Sequence, residues 1–110
     1  MNVNSVLTSL FSGLLPTAAD TYKGKATEYI VFNYTTIPAD FGDDDAGHYR
    51  YLVQVHLYAP HEKNTLAYRR EITRRLVSAD FTRPTVAPAS DANGQHYVFE
   101  CETIGGVEDG

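Results

Sequence analysis

This chain of 110 residues has no tryptophan, one methionine and one cysteine. A lone Cys101 makes no intrachain disulfide, so nothing indicates a small secreted scaffold held by sulfur bridges. No apolar run approaches the roughly 20 residues needed to cross a bilayer. The opening segment, Met1 to Phe11, lacks both a basic start and a long apolar core, so a signal peptide is not expected and a reducing cytoplasm is. Basic residues are also scarce: nine Lys and Arg stand against 14 Asp and Glu, a net charge of -5. That balance argues against a broad nucleic-acid surface and against an anionic membrane surface.

Recognisable reaction chemistry is equally sparse. Gly24 lies between two lysines, but the rest of a phosphate-cradling loop is missing. Asp43-Asp44-Asp45 lacks the alternation of a calcium loop, and counting from Asp43 the twelfth position is Gln54 rather than glutamate. His48 and His56 share a strand face but stand eight residues apart, roughly 27 Å along an extended chain, so they cannot share a metal. If their strands pair, His56 and His96 would be cross-strand neighbours, with Glu100 as a nearby carboxylate; solvated strand histidines are the preferred reading. Cys101 alternates with Phe99 and Tyr97 and reads as a small buried apolar residue rather than a nucleophile. No cofactor, metal or catalytic residue is expected.

What the chain does have is tyrosine, eight in all, suited to half-buried strand faces and to interfaces. Val3, Leu7, Leu10, Phe11 and Leu14 mark one face of a first helix, with Asn2 or Asn4 to cap it and Gly13 and Pro16 to end it. Thr17 to Ala26 reads as a loop. A strand from Glu28 to Thr35 follows, then the acidic hairpin tip Asp40 to Gly47, then a strand from His48 to Tyr58 with Tyr49, Tyr51, Val53, Val55 and Leu57 on its core face. A basic helix from near Asn64 to near Val77 sends Leu66, Ile72, Leu76 and Val77 inward. Phe81 plugs the core. Arg83 to Pro88 is a short strand, with Pro84 and Pro88 confining it to an edge or to its ends, Asp91 to Gly94 is a turn, and Gln95 to Thr103 is the last strand. The tail is flexible from about residue 105.

These elements predict one α+β domain over residues 1–110. Its order is α-β-β-α-β-β, with a four-stranded, mainly antiparallel sheet and two helices packed on one face. Leu7, Leu10, Phe32, Val53, Val55, Leu57, Ile72, Leu76, Tyr97 and Phe99 should form the core.

The sequence of parts resembles the tail terminator, or tail completion, proteins of long-tailed bacteriophages and prophages, some of which are called minor capsid proteins. The resemblance rests on the short first helix, Tyr29-Ile-Val-Phe32 after a loop, the long acidic hairpin tip, and Tyr51-Leu-Val-Gln-Val-His-Leu-Tyr58. A helix beginning near Asn64 and a closing hairpin complete it. It implies a small α+β structural protein of the virion, assembled in the bacterial host cytoplasm. Such a protein self-associates, usually as a hexameric ring, at the head-proximal end of the tail. The implied partners are the tail tube protein and the head-tail connector protein. The family brings no catalytic residues, and neither nucleic acid nor membrane is an expected partner.

Charge adds a reading of its own. Carboxylates concentrate at Asp43, Asp44 and Asp45 and guanidinium groups on the second helix, so Asp43, Asp44, Asp45, Arg69, Arg70 and Arg74 are candidates for contacts between neighbouring copies. Two other readings stand beside assembly: a small ligand-binding or regulatory module, and a metal- or thiol-dependent enzyme using Cys101 or His96.

Overall fold

The computed structural model describes residues 2–38 and 48–106. Asp43 to Asp45, and the hairpin tip they belong to, lie outside the described residues, as do residues 107–110.

The first helix, α1, spans Val3–Leu10; the Asn2 side chain accepts from the Ser5 N–H at 3.1 Å and caps it. Its i, i+4 positions Val3, Leu7 and Phe11 are wholly buried, while Leu10 and Leu14 only flank the core. The chain then makes a strand where the sequence suggests a loop. Thr17–Ala19, here β1, runs parallel to β2, Tyr29–Pro38. Three alanine and threonine residues carry no periodicity, so side chains do not specify this strand. Its backbone does, through Ile30 N–H to Pro16 O and Asp20 N–H to Phe32 O, both 2.8 Å.

Strand β3, His48–Ala59, pairs antiparallel with β2 on one side and along its whole length with β5, Gln95–Gly106, on the other. The short edge strand β4, Thr85–Pro88, pairs with β5. The fold is α+β, but among the described residues its sheet has five strands rather than four and is mixed rather than mainly antiparallel, in spatial order β1-β2-β3-β5-β4. The element order is α-β-β-β-α-β-β. Gly105 and Gly106, expected to fray, pair with Tyr49 and His48, because the partner strand is long enough to hold them.

The second helix, α2, spans Leu66–Ser78. The Asn64 side chain accepts from the Leu66 N–H at 3.1 Å. Leu66 and Val77, expected to point inward, are exposed at 41% and 37%; the helix buries only the Ile72–Leu76 spine. Its end is a Schellman turn. Asp80 takes a left-handed conformation (φ 69°). The Asp80 N–H bonds Val77 O at 3.1 Å and the Phe81 N–H bonds Leu76 O at 3.0 Å. That reversal swings Phe81 into the core, where it is 4% exposed.

Ile30 and Phe32 of β2, Tyr51, Val53, Val55 and Leu57 of β3, and Phe99 and Cys101 of β5 join the buried residues of both helices in one cluster. Strand alternation therefore leaves one face covered and the other open. Leu10 and Tyr97, expected in the core, are only partly buried against it. Arg75 fastens the two helices together: its Nη1 donates to the carbonyls of Leu10 and Ser12, each at 3.1 Å, and its Nε donates to Glu71 at 2.7 Å.

Candidate functional site

Two surfaces carry concentrated chemistry. The first is a row of rings on the open face. Tyr29 pairs with Tyr58 across β2 and β3, and Tyr58 pairs with His96 across β3 and β5. The three side chains therefore fall in one line across three strands and stack, with centroids 5.0 Å and 4.3 Å apart. Tyr22, from the loop after β1, extends the row at 4.4 Å from Tyr29. His56, two residues before Tyr58, closes its other end at 5.1 Å from His96.

The two imidazoles are joined directly, His56 Nδ1 to His96 Nε2 at 2.8 Å, and Asn33 Nδ2 lies 3.2 Å from His56 Nε2. An amide nitrogen only donates, so His56 Nε2 accepts, its Nδ1 carries the proton, and His96 Nε2 receives it. The result is a one-way chain of neutral rings, Asn33 to His56 to His96. Burial lowers the His56 pKa, as does its neighbour His96; burial also lowers that of His96, against the opposing pull of Asp91. These are hydrogen-bonded, part-buried histidines, not the solvated pair favoured on sequence grounds. Glu100 does not join them, since its Oε2 accepts from Gln54 at 3.3 Å on the neighbouring rung.

A surface hollow of about 630 Å³ adjoins the row, bordered by Thr27, Tyr29, Tyr58, Asp91 and His96. Gln95 shapes its floor: Nε2 donates to Pro60 O at 2.7 Å and Lys63 O at 2.6 Å, while Oε1 accepts from the Thr65 hydroxyl at 3.0 Å. Gly94 is required there, since a Cβ would stand 2.8 Å from the Ala59 carbonyl oxygen.

The second surface is a groove of about 590 Å³ between α2 and the β4 edge. It is lined by Arg69, Arg70, Thr73, Arg74, Val77, Ser78, Arg83 and Val86. Here the structure brings together Arg69, Arg70 and Arg74, the basic half of the expected contact set, and adds Arg83, an isolated arginine in sequence with no pattern to single it out. The exposed Val77 and Val86, at 37% and 42%, supply an apolar floor.

The four guanidinium groups are not equivalent. Arg69 lies over the Tyr97 ring at 4.5 Å and donates to the Thr65 hydroxyl. Arg74 grips Glu71 at 2.6 Å and 3.0 Å, and that grip, with Arg75 adding to it, holds the Glu71 carboxyl down to about 2. Like Arg69, Arg70 and Arg83 pair with no carboxylate among the described residues.

Cys101 is 9% exposed, and burial pushes its thiol up to about 12, so it sits in the core as a neutral apolar residue. Among the described residues no three of His, Cys, Asp and Glu converge as metal ligands, and no helix is long and apolar enough to cross a membrane. No protein-family model matches the chain, and no curated protein matches it either.

Proposed function

We propose that this chain is a structural assembly protein of the tail-terminator kind. It joins copies of itself into a ring, six in the family it resembles, that caps a phage tail tube and meets the head connector. The observation that carries this reading is the groove of α2 and β4: an apolar floor rimmed by arginines, three of them without an acidic partner among the described residues, on a chain whose net charge is -5. A surface of that kind suits an acidic, partly apolar partner. The same chain offers Asp43, Asp44 and Asp45 beside Phe41. A ring needs two different complementary surfaces on each copy, and these two have opposite charge. At either end of the sheet, β1 and β4 each have one side without a partner strand among the described residues, a further surface through which copies can join.

The test is solution mass by light scattering across a concentration range, at low and physiological salt, with tail-capping activity measured in parallel. Arg70→Glu and the triple Asp43→Asn, Asp44→Asn, Asp45→Asn variant should each weaken assembly without lowering the monomer's melting temperature. Returning the opposite charge across the pair should partly restore it. A triple variant that assembles and caps like the parent defeats the charge pairing. A parent that stays monomeric at every concentration, even with tail tubes present, defeats the ring.

A further inference from the structure

The row of rings on the open face ends in two imidazoles whose ring nitrogens face each other, with an amide behind one of them. Two imidazoles bound to one tetrahedral zinc ion, with bonds of about 2.05 Å, have centroids about 5.2 Å apart and donor nitrogens about 3.3 Å apart. In this chain the centroids already stand 5.1 Å apart, and the nitrogens 2.8 Å. The nitrogens now point straight at each other, so each ring must swing by roughly 35° for both to converge on one tetrahedral ion.

We propose that His56 and His96 form a two-imidazole site for a borderline divalent ion of the zinc type, with His56 Nδ1 and His96 Nε2 as the donors. Three neighbours fit this role. Tyr58 stacks on both rings and fixes their planes. Asn33 stands at His56 Nε2. When the ion takes Nδ1, the single ring proton of His56 moves to Nε2, and the Asn33 carboxamide turns over to accept it through its oxygen. That places Asn33 as a positioning residue behind the ligand. Asp91 lies near enough to act on His96 through its charge and favours a cation there. No further His, Cys, Asp or Glu among the described residues completes the set, so water fills the remaining positions. This site is independent of the ring contact and of the arginine groove.

The experiment titrates the full, tag-free chain with zinc chloride, and separately with nickel chloride, by calorimetry at pH about 7.5, where both imidazoles are neutral. Half of a structural zinc site's ligand set implies one ion per chain with a Kd on the order of 1–100 µM. His56→Gln and His96→Gln should each weaken binding by roughly tenfold or more, while His48→Gln and His61→Gln leave it unchanged. Asn33→Ala should weaken it by roughly tenfold and shift the His56 Nε2 resonance. Long-range nitrogen NMR of the unmodified chain removes any dependence on variant folding: zinc should move His56 Nδ1 and His96 Nε2 together. Unmoved imidazole nitrogens at about 1 mM zinc, or binding that survives His56→Gln or His96→Gln, overturns the site.

Discussion

Removing the guanidinium of Arg75 should unfasten the two helices, whereas removing that of its neighbour Arg74 should not. The pair are adjacent in sequence and share Glu71 as a partner, but their settings differ. The Arg75 side chain is 23% exposed and spans from Glu71 to the carbonyls of Leu10 and Ser12, at the end of α1. The Arg74 side chain is 65% exposed, and its one hydrogen-bond partner among the described residues is Glu71.

The carbonyls at a helix C-terminus have no partner within the helix, and Arg75 meets two near that end at once. Charge-assisted bonds of this kind each contribute about 1.5–3 kcal/mol when shielded; partial exposure and replacement by water reduce the two together to about 2 kcal/mol. Arg75→Met, which keeps most of the apolar stem, should therefore lose about 2 kcal/mol. For a domain of this size that lowers the melting temperature by about 6–10 °C. Arg75→Lys keeps the charge but not the fork and should lose about half as much. Arg74→Met, which removes an exposed ion pair, should cost well under about 1 kcal/mol. Urea and thermal melts of the three variants decide the matter. If Arg75→Met unfolds within about 0.5 kcal/mol of the parent, the usual range for surface changes, the clamp contributes nothing to stability and the reasoning fails.

Leu76→Ala, at a wholly buried position of the spine, should cost about 2–4 kcal/mol, while Leu66→Ala, ten residues earlier and 41% exposed, should cost less than about 0.5 kcal/mol; urea midpoints separate the two. The Glu71 carboxyl titrates at about 2 in the folded chain, below its ordinary value of 4.5, with Arg74 the first cause. Its depressed folded value means that the stability it lends is complete above the unfolded value and fades as pH falls toward the folded one. Carbonyl NMR should follow that midpoint, and Arg74→Met should raise it.

Strand β3 was legible because alternation over twelve residues has one solution: Tyr51, Val53, Val55 and Leu57 inward. Phe81 was legible for a related reason, as a lone large apolar residue after a helix stop. Strand β1 was not, because Thr17-Ala18-Ala19 is a strand only through its neighbour's backbone, and no side-chain pattern records such a debt. Leu66 and Val77 misled because a helix face about 100° wide admits several apolar residues near its margins, and only packing decides which are covered. The arginine groove was half legible: Arg69, Arg70 and Arg74 lie on one helix, but Arg83 joins them through the turn after α2. The ring row depended on register. The spacing of His56 and His96 became a 2.8 Å contact only once Tyr58 was set opposite His96.

The central place of β3 also has a consequence for the chain while it is being made. Its partner on one side, β2, precedes it, so a hairpin can close as soon as β3 emerges. Its partner on the other side, β5, is the last strand synthesised among the described residues. At about 5–20 residues per second, the interval between finishing β3 and finishing β5 is about 2–9 s. Throughout that interval one edge of β3 presents a full row of unpaired amides and carbonyls beside Val53, Val55 and Leu57, a template for another nascent chain. The strand that anchors the finished sheet is thus its most adhesive part on the ribosome, and copies translated side by side from one message run the greatest risk of pairing with each other before each has met its own β5.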